Sequence, residues 1–319
     1  MERLQRNRFA LLAVFWLLAA SLPAQPQIRT IRLICLPNVP LPVVLGQAQG
    51  IFARFGVKVV AEKATSAAAL REALATHQAD LAHASVENAV AGSVSGEADY
   101  VIVMGGEGST SELIVQPDIH TIEDLRGHIL ILDGENTAYT LLLRRILERH
   151  GLKPGVDCTL QVVGLAPQRL QAMRDHPEYA ATIQKPPTSL LSERAGLHSL
   201  GSTNDLSGLG RMQGIGAFTV RSWANDHADL LEHYIAAFIV AQRWMMDPAN
   251  KQAVIDAMMK ESHMPQDIAE QTYTLALKNA WTPDARFDEK GFRNVLTLDA
   301  GNAAPASASR YYEPIWYRR

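Results

Sequence analysis

GHILILDGENTAYTLLLRRILERHGL, residues 127–152, holds a strand, a tight polar turn and a helix in succession. The apolar run Ile129–Leu132 is bounded by Gly127 and Gly134 and is too short for most helices, so it reads as a buried strand. Asn136 and Thr137 can cap a following helix whose apolar positions Ala138, Leu141, Leu142, Ile146 and Leu147 fall at helical spacing on one face. Gly151 ends it, because glycine adopts the left-handed conformation favoured at a helix C-terminus. The first N–H groups of such a helix have no partner inside it and point beyond the carboxyl end of the strand. In open α/β sheets that crevice is the usual place for a small ligand, so 136–139 reads as one wall of a binding site. The same residues also describe an ordinary capped helix that needs no ligand. Asp133 and Glu135 beside the helix start would repel an anion while stabilising the helix dipole.

The same rhythm extends outward in both directions. Strands are expected at 28–36, 57–60, 80–84, 100–104, 112–116, 159–163, 179–183 and 197–200, with helices between them at about 43–55, 66–77, after Ser85, 121–125 and 167–175. Ser85 stands at a strand-to-helix turn as Asn136 does, although a serine there is more often an N-cap. The glycine turn 105–108 lacks both the P-loop lysine and the spaced Rossmann glycines, so it is not a nucleotide motif. Residues 201–216 are rich in Gly, Ser and Asn and read as a linker or mobile loop. A return strand follows at 217–221, and then helices at 226–246, 249–260, 265–279 and near Glu289. Strand and helix alternate before residue 200 and helices dominate after it, which makes the chain an α/β protein of two lobes with mainly parallel strands and a helical C-terminal segment.

The N-terminus carries Arg3, Arg6 and Arg8, an uninterrupted apolar run from Phe9 to Ala20, and small and turn residues through Ala24. This is the pattern of a cleavable secretory signal, 1–24, too short and wrongly flanked for a membrane anchor. Without it the 30 basic and 33 acidic side chains fall to 27 and 32, a formal charge of −5. That mildly acidic balance, without patterning, gives no reason to invoke nucleic acid or an anionic membrane. A composition that is 47% hydrophobic supports a large core divided between two domains. Cys35 and Cys158 sit in separate strand-like segments and are expected as two buried free thiols.

The order of elements and two local motifs resemble the periplasmic solute-binding proteins of ABC importers, in the broad family of nitrate, sulfonate, taurine and pyrimidine-precursor binders. IHTIEDLRGHILI at 119–131 is similar to the family's segment opening the second lobe, and TVRSWANDHADLLEHYIAAFIVAQRW at 219–244 to its long helical return. The resemblance implies a two-lobed type II periplasmic-binding fold in which the chain crosses between lobes twice. Lobe one would be 28–111 plus 217–319 and lobe two 112–216, with crossings at 112–116 and 217–221. It implies a first shell of Asn38, Pro40 and Leu41 after the first strand, Ser85 after the third, Gly106 in the glycine turn, Asn136, Thr137, Ala138 and Tyr139 at the helix start, and Pro187 in the double-proline loop. The N–H groups of 137–139 and the Ser85 hydroxyl can donate to an oxygen-bearing ligand, while Tyr139, Pro40, Leu41 and Pro187 can pack on an apolar or aromatic body.

A monomeric periplasmic protein that captures a sulfonate, carboxylate or heteroaromatic solute by hinge closure and passes it to an ABC permease is the function so implied, with no cofactor and no metal. The ten histidines are scattered without ligand spacing, and no G-x-S-x-G elbow is present. Relatives of this fold that make pyrimidines carry a cysteine-rich motif absent here, and His83 near Ser85 is the one pair that invites a catalytic reading. A ligand-sensing partner of a membrane receptor is the alternative within the same fold. Glu107, Asp133 and Glu135 would suit a cationic or donor-rich solute, whereas the helix start favours an acceptor-rich one.

Overall fold

A computed structural model describes residues 28–109, 111–135, 137–300 and 307–313. The expected signal 1–24 and the expected site residue Asn136 lie outside the described residues. Two five-stranded sheets form two lobes.

The first sheet is built from β1 (Arg29–Cys35), β2 (Val57–Lys63), β3 (Leu81–Ser85), β4 (Tyr100–Met104) and β10 (Ile215–Val220), in the order β2-β1-β3-β10-β4. The second holds β5 (Glu112–Val115), β6 (Ile129–Leu132), β7 (Thr159–Val162), β8 (Tyr179–Gln184) and β9 (His198–Ser202), in the order β7-β6-β8-β5-β9. In each sheet four strands point the same way, and the strand that has just arrived from the other lobe, β10 or β5, lies antiparallel to both neighbours.

Burial follows the sequence pattern. β2 is an edge strand and its first four residues alternate buried and exposed, whereas all five residues of β4 are buried. β4 can be wholly apolar at a sheet edge because the chain's end covers it: the Ile102 amide donates to the Tyr311 carbonyl at 2.6 Å, and Tyr312 bridges to the same residue. A paired edge no longer offers unsatisfied backbone to water.

Short helices flank the first sheet: α1 (Leu41–Ala48), α2 (Ile51–Arg54), α3 (Ala67–Ala75) and α4 (Glu87–Val94). The expected single helix at 43–55 is two, because Gly50 takes a φ of 65° between them. In the second lobe α5 (Ala138–Arg149) and α6 (Ala166–Asp175) flank the sheet, followed by α7 (Thr188–Arg194) and α8 (Thr203–Leu206). The expected helix at 121–125 is one 3-10 turn, Glu123–Leu125. The C-terminal part is helical as expected: α9 (Arg221–Asp226), α10 (Ala228–Met246), α11 (Lys251–Ser262), α12 (Gln266–Leu275) and α13 (Glu289–Ala300).

α10 packs closely on α1. A Cβ on Gly46 would lie 2.8 Å from the Ala241 Cβ and 2.7 Å from the Phe52 ring, so only glycine admits this approach. α13 touches α5 of the second lobe and α4 of the first. Its Phe292, Val295 and Leu296 belong to one continuous cluster with Ile102 and Phe218 on one side and Leu142 and Ile146 on the other. Cys35 and Cys158 are buried and free, on different sheets' sides of the molecule.

The stretches expected as crossings, 112–116 and 217–221, lie within the sheets instead, the first covering β5 and the second the latter part of β10 and the first residue of α9. Residues 107–109 and 212–214 run antiparallel to each other: the Ser109 amide donates to the Met212 carbonyl at 3.0 Å and the Gly214 amide to the Glu107 carbonyl at 3.1 Å. Residues 280–281 add a third strand to this ribbon, through the Gly108 amide to the Ala280 carbonyl at 3.0 Å and a bridge between Glu107 and Trp281. The glycine turn is explained here. A Cβ on Gly105 would come within 2.4 Å of the Arg286 carbonyl oxygen. Residues 201–216, which have no sequence period, hold the end of β9, α8 and the second half of this ribbon.

Candidate functional site

The carboxyl ends of β3, β6 and β8 and the hinge ribbon place the expected residues. Thr137 caps α5, its hydroxyl oxygen accepting from the Thr140 amide at 3.2 Å. Its own proton goes to Asp133 Oδ1 at 2.5 Å. α5 buries Leu142, Leu143, Ile146 and Leu147 together with Thr140, so its apolar face sits slightly around from the expected one. Ala138 and Tyr139 form the first turn and are half-buried.

Ser85 ends β3 without capping α4, because Val86 occupies the cap position with no side-chain bond. The Ser85 hydroxyl donates to Glu87 Oε2. Both hydroxyls that the sequence offered as donors to a ligand, at Ser85 and Thr137, are thus turned onto carboxylates. His83, two residues earlier, is buried in the core with its Nε2 3.0 Å from the Tyr234 hydroxyl and its ring stacked on Phe238. Burial lowers its pKa to about 3. It has no contact with Ser85 that could activate a nucleophile.

Tyr139 packs against the continuous apolar cluster that holds Ile102, Leu142 and Phe292. Burial raises its pKa, and the charges acting on it are Lys185, Asp133, Glu87 and Arg169, the carboxylates raising it and the cations lowering it. Glu87 belongs to the first lobe and the other three to the second. Arg169, 1% exposed, donates from Nε to the Thr182 hydroxyl at 2.9 Å, from Nη2 to the Ile183 carbonyl at 3.0 Å, and from Nη1 to the Gly164 carbonyl. Burial lowers its pKa and the Asp133 charge opposes that. The space between Tyr139, Asp133, Leu143, Arg169 and Thr182 has no room for a water molecule.

Lys185, beside Pro186 and Pro187, reaches the hinge: its Nζ is 3.7 Å from Glu107 Oε2, and Glu107 Oε1 accepts from Trp281 Nε1 at 3.4 Å. Pro187 heads α7, whose Leu190 and Leu191 pack against the same apolar cluster as Leu41. Pro40 precedes α1 at its cap position, and Asn38 is exposed in the loop before it. Arg194 at the end of α7 pairs with Asp267 on α12. The double-proline segment therefore meets the first lobe at the hinge and through α7.

Gly106 is buried in the ribbon and borders a cavity of about 350 Å³, which Arg211, Gln213, Thr282, Arg286 and Asp288 also line. Among the described residues, none of the other expected ones lines that cavity. Among the described residues no group of three or more His, Cys, Asp or Glu side chains could hold a metal ion, and no helix is long and apolar enough to cross a membrane.

Glu87, Lys185 and Trp281 were missed from sequence. Glu87 and Lys185 each stand two residues from an expected one and carried a weak signal. Trp281 carried none, since it meets Glu107 from 174 residues away.

A family model described as the phosphonate periplasmic substrate-binding protein of ABC transporters matches residues 49–207. Among solved structures, the ligand-binding component of an ABC-type import system from Staphylococcus aureus, with zinc bound, superposes with a TM-score of 0.74 at 16% identity, covering 91% of this chain and 98% of that one. The alkanesulfonate-binding protein SsuA from Xanthomonas axonopodis pv. citri, bound to MOPS, gives 0.62 at 20% identity over 79% and 85%. The periplasmic nitrate-binding protein NrtA from Synechocystis PCC 6803 gives 0.70 at 13% identity over 92% and 88%. No curated protein matches the sequence.

Proposed function

The chain belongs to the periplasmic substrate-binding proteins of ABC transporters, and from that premise we propose that it captures a small organic solute between its lobes by hinge closure and presents the closed form to a membrane permease. The observation that carries the reading is the ribbon of 107–109 and 212–214, two hydrogen-bonded segments that can bend together while each sheet stays rigid. Lys185 with Glu107, and α7 with α12, supply contacts between lobes that an open form would lack, as a two-state closure requires.

The site proposed is the junction of Asn38, Pro40, Leu41, Ser85, Gly106, Thr137, Ala138, Tyr139 and Pro187, with Asn136 included by its place in sequence. The proteins of similar fold bind zinc, MOPS and nitrate according to their descriptions. For this chain the range proposed is a sulfonate, carboxylate or heteroaromatic solute. The protein acts by binding and not by catalysis, as a monomer, and is exported by cleavage of 1–24. The arginines and apolar run of that segment support export.

A thermal-shift screen over such compounds followed by small-angle scattering tests the reading. A true solute raises Tm as its concentration rises over Kd, and it shrinks the radius of gyration. Tyr139→Ala weakens both effects. A stabilising compound that leaves the scattering curve unchanged, or binds the variant equally well, would sink the proposal.

A further inference from the structure

The cavity of about 350 Å³ has a volume in the range of small-molecule sites, and of the residues proposed for capture only Gly106 borders it. It lies between the ribbon and the chain at 280–289, which leads from the third ribbon strand into α13. Gln213, 4% exposed, fastens these walls together. Its Nε2 donates to the Glu107 and Ile215 carbonyls at 3.3 and 3.1 Å, and its Oε1 accepts from the Asp288 amide at 2.9 Å.

The carboxylates around this space are engaged. Asp288 Oδ1 receives the Gly291 amide at 2.9 Å, and its Oδ2 faces Arg211 Nε at 3.4 Å. Asp284 Oδ1 receives the Arg286 amide at 3.2 Å, and its Oδ2 faces Arg286 Nε at 3.2 Å. Glu107 holds Trp281 and Lys185, and Glu289 lies 3.8 Å from Arg293. The donors are not engaged. Arg211 and Arg286 each turn Nε to a carboxylate, and among the described residues neither directs an Nη nitrogen to a hydrogen-bond acceptor. Thr282 Oγ1 is buried with no partner, which costs stability until an acceptor or donor meets it.

We infer that this cavity is a second ligand site, for a di- or tricarboxylate held by the Nη groups of Arg211 and Arg286 and by the Thr282 hydroxyl. A guanidinium presents parallel N–H groups that match a carboxylate. Two of them, one beside the ribbon and one in the chain before α13, suit an anion with a charged group at each end, and the cavity has room for a carbon chain between them. Bound there, the anion links the ribbon to lobe one.

Isothermal titration of the full chain with citrate and succinate, at fixed ionic strength and with chloride as the control anion, tests this. At least one of the two gives saturable heat. Arg211→Gln and Arg286→Gln, each checked for an unchanged circular dichroism spectrum, weaken that anion about tenfold, since each removes a charge-assisted pair. Thr282→Val leaves both ion pairs in place and weakens it severalfold, and it decides the matter if an arginine variant does not fold. Tyr139→Ala leaves the affinity unchanged, because its ring lies outside the cavity. Silence of both anions overturns the inference, as does wild-type affinity in the folded variants. Loss of binding in Tyr139→Ala overturns it too, by placing the anion among the strand ends.

Discussion

Lys185 Nζ stands 3.7 Å from Glu107 Oε2, a contact between the double-proline loop of the second lobe and the ribbon that joins the lobes. With the two side chains 31% and 35% exposed, water screens the pair, and its worth to stability is about 0–1 kcal/mol. Its consequence is geometric. It ties the loop carrying Pro187 to the ribbon that joins the lobes.

A double-mutant cycle of Glu107→Gln and Lys185→Met therefore shows coupling of no more than about 1 kcal/mol in urea denaturation. The same variants alter the radius of gyration measured by scattering without ligand. A large coupling in stability together with unchanged scattering would contradict this assignment.

α7 meets the first lobe through Leu190 and Leu191, which are half-buried against the cluster containing Met258, Tyr273 and Trp281, and through Arg194 with Asp267. Leu191→Ala removes about 1–2 kcal/mol of apolar contact. Combined with Asp267→Arg, which sets like charges together, it shifts the ligand-free protein toward a larger radius of gyration. Affinity for any cleft ligand falls although neither residue touches it, because closure then costs more.

Arg169 braces the loop between β7 and α6 against β8 by its bonds to Gly164, Thr182 and Ile183. Arg169→Ala leaves buried oxygens without donors, so a loss of about 3–5 kcal/mol in unfolding free energy is expected. Arg169→Lys recovers part of it, since one ammonium cannot span all three acceptors. An unchanged denaturation midpoint in the alanine variant would show that water replaces the side chain.

His83 gives the fold a pH dependence. Burial holds its pKa near about 3, below the ordinary 6.5, so between those values the unfolded chain binds the proton and the folded one does not. Stability is then full above pH 6.5 and is lost as pH falls toward 3, by up to about 1.4 kcal/mol per pH unit from this residue. Urea denaturation at pH 4.5, 5.5 and 7 measures the slope, and His83→Gln flattens it.

Much of the fold was legible because its signal is local. The apolar runs at 100–104 and 129–132, Thr137 before α5 and the change to helices after 220 can each be read in a window of a dozen residues. For the candidate site, sequence offered positions and not contacts. That Ser85 and Thr137 stand at strand ends follows from spacing, but where their hydroxyl protons point depends on which acceptor lies nearer. Glu87 and Asp133 took them.

Sequence alone determined the order of strands and helices and the division into two lobes, since hydrophobic periodicity and turn residues act between near neighbours in the chain. Tertiary structure alone decided that 107–109 pairs with 212–214, that Trp281 and Lys185 both meet Glu107, and that α13 lies against both lobes. These contacts join segments that have no local reason to meet. They exist because two sheets, each burying its own faces, leave the joining ribbon and the strand ends as the places where distant side chains come within hydrogen-bonding reach.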